Sequence, residues 1–155
     1  MSGILTRLLS THRLDTQLEV SSKKRLFEEI AERIQHDYPE ITARSTFNRL
    51  LAREKLGSTG LGQGIAIPHA RLEGAPEIIG VFFTLSQGIE FDAPDDQNVD
   101  LVFALLVPEN EEQEHLTTLA TLAGLFQNPN FCRDIRAAST AEALLKALKT
   151  WEANT

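Results

Sequence analysis

Residues Ile78 to Leu85 read IIGVFFTL, and residues Val99 to Val107 read VDLVFALLV. Neither stretch alternates apolar with polar side chains, so neither suits a strand with one face in water. Near-continuous apolar runs of this length are those of strands buried on both faces. A sheet built on them must be covered on both sides, and the rest of the chain supplies the cover.

Upstream, Leu14 to Val20 alternates Leu14, Thr16, Leu18 and Val20, the period of a half-buried strand. Ser21 or Ser22 then caps a helix that runs from Lys23 to about Tyr38, with Leu26, Phe27, Ile30, Ala31 and Ile34 along one stripe and Pro39 as its stop. A second helix from about Thr42 carries Phe47, Leu50 and Leu51 and ends before Gly57. Between the apolar runs, IEF at Ile89 to Phe91 predicts a further short strand and DAPDDQN predicts a turn. From Glu111 onward there are three helical patterns: Leu116, Leu119, Ala120 and Ala123; Phe131 and Ile135; and Leu144, Leu145 and Leu148, the last introduced by Ser139 and Thr140. The opening residues Ile4, Leu5, Leu8 and Leu9 have the spacing of a short docking helix. Only one strand precedes the first helix pair, which breaks a regular βαβαβ alternation. The expected fold is α/β: a three-layer α/β/α sandwich with a mixed β-sheet flanked by helices on both faces, in one domain over residues 1–155.

Composition narrows the function. With a net charge of −7 and a pI near 5.1, the chain lacks the basic stripe that displaces counterions from a nucleic acid. A spanning helix needs ~18 or more consecutive apolar residues, and no stretch approaches that; no basic head and apolar run mark a signal peptide either. The single cysteine, Cys132, reads as a reduced, half-buried thiol, so the expected location is the cytoplasm with no membrane insertion.

Four histidines are candidates for chemistry. His12, His36, His69 and His115 lie too far apart in sequence for a local ligand pair, so no metal site is expected. His12 and His36 stand in polar surroundings and read as solvated surface residues. His69 follows Ile67 and Pro68, whose ring fixes its own φ and biases Ile67 toward extended backbone, so the imidazole is held stiffly. A held neutral imidazole can act as a nucleophile through one nitrogen while the other donates to an orienting acceptor; equally, such a histidine can simply staple a loop. The stretch GSTGLGQGIAIPHAR, from Gly57 to Arg71, is too rich in glycine for a plain strand and reads as a shaped loop. It fails the dinucleotide fingerprint, because its third glycine comes one residue early and a helix precedes it. Its backbone N–H groups and the hydroxyls of Ser58 and Thr59 are able to hold an anion; turn formation alone also accounts for the glycines. His115 lies near the start of the helix opening at Glu111, and Arg53 lies one turn before the loop.

The run REKLGSTGLGQGIAIPHAR from Arg53 to Arg71, the strand VDLVFALLVP and EHL around His115 together resemble the enzyme IIA proteins of the bacterial phosphotransferase system, fructose/mannitol class, and most nearly the nitrogen-regulatory branch. The resemblance spans essentially the whole chain. It implies a mixed-sheet fold and a phosphotransferase component in which His69 accepts phosphate through Nε2, as tele-phosphohistidine, from an HPr-like (NPr) phosphocarrier protein charged from phosphoenolpyruvate by enzyme I. It implies His115 as the second active-site histidine, and Arg53 and Thr59, with Ser58 and Gly60 beside them, as the phosphoryl-binding set, with no cofactor. Relatives often carry glycine after the histidine; here that residue is Ala70. The function so implied is nitrogen-related regulation through target proteins, the alternative being a sugar-specific enzyme IIA that hands phosphate to a transporter's IIB domain. Leu61, beside the site, suits a transient docking contact.

Overall fold

In a computed structural model of the chain, residues 3–110 and 113–154 are described, with the side chains of residues 113–115 outside that set. The two apolar runs form the centre of the sheet. Strands β1 (Leu14–Leu18), β2 (Gly60–Gly62), β3 (Ile65–Ala66), β4 (His69–Arg71), β5 (Ile79–Ile89) and β6 (Val99–Val107) make one sheet in the order β1-β5-β6-β3-β2, with β4 also paired to β6. The β5–β6 pair is antiparallel, with Phe82 opposite Phe103, whereas β1 runs parallel to β5 and both β3 and β4 run parallel to β6. The sheet is therefore mixed, as the chain order predicts.

Alternation along the two central strands builds two cores. Val81, Phe83, Val102, Ala104 and Leu106 pack with Leu26, Phe27, Ile30 and Ile34 of α1 (Lys23–Asp37) and Leu50 of α2 (Ala43–Leu56). Their neighbours Phe82, Leu101, Phe103, Leu105 and Val107 point the other way, to Leu122 and Phe126 of α3 (Gln113–Phe126), Phe131 and Ile135 of α4 (Pro129–Ala137), and Leu144 and Leu148 of α5 (Ala141–Ala153). Both faces are dry, and the three layers follow from that.

The helix caps resolve as local chemistry requires. Ser22, not Ser21, accepts the N–H of Arg25 at the start of α1; Thr42 accepts that of Ser45, and Thr140 that of Ala143. The start of α3 expected at Glu111 lies outside the described residues. Cys132 is buried rather than half-buried, and its thiol donates to the carbonyl of Phe126 at 3.3 Å.

Four expectations are corrected. The N-terminal docking helix is instead a pair of 3-10 turns, Thr6–Leu8 and Thr11–Arg13, although Leu5 is buried as an anchor should be. The first strand is interrupted: Gln17 adopts φ 54° and the register with β5 shifts between Asp15 and Leu18, because the N–H of Gln17 turns to the hydroxyl of Thr84. No separate IEF strand forms, since β5 continues to Ile89 through a register shift after Thr84. Finally, the glycine-rich stretch is not merely a loop. It folds into the β2–β3 hairpin, turned through Gly62, Gln63 and Gly64 at φ 92°, 58° and 84°, and then into β4. Glycine at two of those left-handed positions avoids a steric cost that most side chains would incur.

Candidate functional site

Pro68 separates β3 from β4 because it has no N–H to give to a ladder. Its carbonyl still accepts the N–H of Leu105 at 2.8 Å, and β4 resumes alongside β6 with His69 opposite Leu105. The residue that interrupts the strand thus seats His69 at the start of a short strand on the central sheet.

The imidazole is half-buried, and its Nδ1 lies 2.8 Å from the carbonyl oxygen of Ile67. A carbonyl can only accept, so Nδ1 must carry the proton and Nε2 keeps its lone pair. Burial pushes the His69 pKa below its ordinary 6.5 and the Arg53 guanidinium pushes the same way, against the opposing pull of the Ile67 carbonyl and Glu54. At neutral pH the ring is uncharged, with its nucleophilic nitrogen defined.

Beside the ring lies a cavity of about 400 Å³ lined by Arg49, Ala52, Arg53, Leu56, His69, Ala70 and Arg71. Three guanidinium groups stand around one imidazole, on a protein of net charge −7, with the Glu109 carboxylate paired to one of them, Arg49. The arginines are braced: Arg53 donates to the carbonyl of Gly57 at 2.8 Å, Arg49 to the carboxylate of Glu109 at 2.7 Å, and Arg71 to the carbonyl of Glu109. Such a fan of planar donors fits a phosphoryl group.

Of the residues singled out in the sequence, His69 and Arg53 come together in this cavity. Thr59, Ser58 and Gly60 do not line it, and their donors are spent inside the protein. The N–H and hydroxyl of Thr59 go to the Glu54 carboxylate at 3.1 and 2.7 Å, and Lys23 reaches the same carboxylate at 3.0 Å. The Ser58 hydroxyl donates to the carbonyl of Phe91 and accepts the N–H of Gly60. A Cβ on Gly60 would stand 2.9 Å from that of Ala93, so this glycine serves close packing. The expected anion cradle is accordingly a self-satisfied scaffold. His115 falls in the first turn of α3, and its side chain lies outside the described residues.

Arg49 and Arg71 were missed. The signals were available: Arg49 precedes Arg53 by one helical turn, and Arg71 stands two residues beyond His69 on a strand. Leu56 and Leu61, at 85% and 49% exposure, and Leu116, at 62%, are the large apolar side chains most open to solvent among the described residues.

The chain is similar in sequence and in fold to known proteins. The sequence profile of the family described as "Phosphoenolpyruvate-dependent sugar phosphotransferase system, EIIA 2" matches residues 7–151. A nitrogen regulatory protein of Pseudomonas aeruginosa is 44% identical over 140 residues, covering 90% of this chain and 91% of that one. The nitrogen regulatory protein of Escherichia coli is 40% identical over 153 residues, covering 98% and 91%. The crystal structure of the nitrogen regulatory protein IIA-Ntr from Neisseria meningitidis superposes with a TM-score of 0.86 at 41% identity, covering 94% of this chain and 99% of that one.

Proposed function

This chain belongs to the EIIA 2 family of the phosphoenolpyruvate-dependent sugar phosphotransferase system, and we propose that it carries a phosphoryl group on Nε2 of His69, received from an HPr-like phosphocarrier, as a nitrogen-related regulatory protein. The observation that carries this reading is the Nδ1–H of His69 donated to the Ile67 carbonyl, which leaves Nε2 as the nucleophile beside three arginines. Residues 1–155 then act as one EIIA-type domain. The described residues hold no helix long and apolar enough to cross a membrane, and cytoplasmic action is part of the proposal.

The chemistry follows from general features of phosphoryl transfer, in which in-line positioning and charge stabilisation supply most of the catalysis. Nε2 forms a bond to phosphorus as the carrier's own nitrogen–phosphorus bond breaks, and the carrier's ring leaves as neutral imidazole. His69 then bears phosphate on Nε2 and a proton on Nδ1, which makes the ring cationic. The Ile67 carbonyl becomes a stronger acceptor partner for that N–H as the charge develops. Arg53, with Arg49 and Arg71, receives the equatorial oxygens, and His115 takes the role implied by the family. Thr59, Ser58 and Gly60 hold the scaffold's shape instead of touching the phosphoryl group.

The regulatory reading is preferred over sugar transport because the relatives at 40% and 44% identity are nitrogen regulatory proteins. Incubation with phosphoenolpyruvate, enzyme I and phosphocarrier should give one acid-labile, alkali-stable phosphate per chain, absent from His69→Ala. Label retained by that variant sinks the site assignment. Rapid transfer of the phosphate to a IIB domain would instead favour the transport reading.

A further inference from the structure

At the far edge of the sheet from β3 and β2, a second group of ligating side chains converges that has no part in the chemistry of His69. His12 lies in the 3-10 turn immediately before β1, and His36 and Asp37 end α1. Both histidines are exposed, yet their rings stack with centroids 3.9 Å apart and planes tilted by 38°. One ligating atom from each of His12, His36 and Asp37 lies within 4.8 Å of the other two. We propose that these three side chains bind a borderline divalent transition metal ion of the zinc, nickel or copper class, and that the ion ties the segment preceding β1 to the end of α1.

The geometry is close to what such an ion requires. Zinc takes imidazole nitrogen and carboxylate oxygen at ~2.0–2.2 Å, so two ligands of a tetrahedral site stand roughly 3.3–3.5 Å apart. His36 Nδ1 and Asp37 Oδ1 are already 3.3 Å apart. The remaining edges close by rotation of the exposed His12 imidazole, which gives up its stacking on His36 in exchange for the metal bond.

The supports are fixed in advance. The other oxygen of Asp37, Oδ2, accepts from the Ser10 hydroxyl at 2.5 Å and from Arg13 Nε at 2.7 Å, which leaves Oδ1 turned toward His36. Arg13 is itself buried and anchored on the carbonyls of Leu8 and Gly80. The carbonyl of His12 accepts from Arg33 at 3.0 Å. Orienting a ligand through its outer oxygen in this way is a regular feature of metal sites.

Charge selects the class of ion. The Arg13 guanidinium shares the only carboxylate of the group, which disfavours magnesium and calcium, since those ions depend on several oxygen ligands. Two imidazoles suit the later first-row ions, whose affinity for nitrogen rises toward copper. The carbonyl-rich end of α1 also favours a cation. Three protein ligands leave a fourth position for water.

Calorimetry of tag-free protein titrated with zinc chloride tests the proposal. One equivalent should bind, with a rise in Tm that EDTA reverses, and magnesium chloride should leave Tm unchanged. His12→Gln and His36→Gln, both at exposed positions that spare the fold, should each weaken zinc binding by at least ~10-fold, the scale on which metal sites respond to loss of a contributing group. His69→Ala should bind zinc as the parent does. Unchanged affinity in the His12→Gln/His36→Gln double variant, loss of binding in His69→Ala, or no saturable binding below about 1 mM zinc would each overturn the assignment.

Discussion

At the scale of the residue, His69 is prepared by two neighbours that act in opposite directions. The Ile67 carbonyl fixes the proton on Nδ1, whereas burial and then the Arg53 guanidinium oppose a second proton. Lowering the pKa keeps the nucleophilic nitrogen unprotonated at pH values where an ordinary histidine begins to charge. An NMR titration should therefore place the His69 midpoint below 6.5, and Arg53→Met should move it upward because a cation that disfavours protonation is removed. The same variant should slow phosphoryl acceptance by roughly 10²- to 10³-fold, as loss of one preorganised charge donor does elsewhere. An Arg53→Met midpoint equal to or below the parent's would contradict the electrostatic account. The sign for stability follows. The folded value lies below the unfolded one, so the unfolded chain takes up the proton first as pH falls. The contribution of His69 to stability is complete above 6.5 and is lost as pH drops from there toward the folded value.

Among the elements, the Gly57 to Arg71 stretch shows where sequence reading succeeds and where it stops. A stiffly held imidazole was legible from Pro68 and His69, because proline restricts the backbone wherever it stands; the role proposed for His69 and Arg53 came from the likeness of the whole Arg53 to Arg71 run to enzyme IIA proteins. The hydrogen bonds of the stretch were not legible, because the partners of Thr59 and Ser58 are Glu54, in α2, and Phe91, beyond β5, and only the folded chain brings them in. The same limit hid the His12 and His36 pair, which the end of α1 brings into contact with the turn before β1. Local periodicity recovered α1, α4 and α5 with their stripes and Leu50 of the α2 stripe, but in α3 the expected Leu116 and Ala120 are exposed while Leu122, Leu125 and Phe126 are buried. Nor could it foresee that one glycine-rich segment would pair as a hairpin. Since the Thr59 hydroxyl is committed to a buried carboxylate, Thr59→Val should cost about 1–3 kcal/mol of stability, the penalty for an unsatisfied buried acceptor, read by urea unfolding. Thr59→Ser, which keeps the donor, should recover most of it. A Thr59→Val protein of parental stability that nonetheless fails to accept phosphate would restore the direct contact between Thr59 and the phosphoryl group.

For the whole molecule, the apolar residues that hold the fold lie in the two cores of the sheet, apart from the exposed apolar residues that a partner would meet. Phe103 is fully buried, its ring 4.9 Å from that of Phe82, at the centre of the core beneath α3, α4 and α5. Phe103→Ala should cost ~3–5 kcal/mol, by lost burial and the cavity left behind. For a chain of this size each kcal/mol lowers Tm by about 2–4 °C, so the midpoint should fall by roughly 6–20 °C. Leu56 is as apolar but 85% exposed on the rim of the His69 cavity, and no core depends on it. Leu56→Ser should change stability by no more than ~0.5 kcal/mol while raising the phosphocarrier concentration needed for half-maximal transfer. Scanning calorimetry and transfer kinetics on the two variants distinguish the roles. A Leu56→Ser protein with a parental Tm and parental transfer kinetics would remove this leucine from the docking surface, leaving the arginines of the cavity to recognise the phosphorylated partner by charge alone.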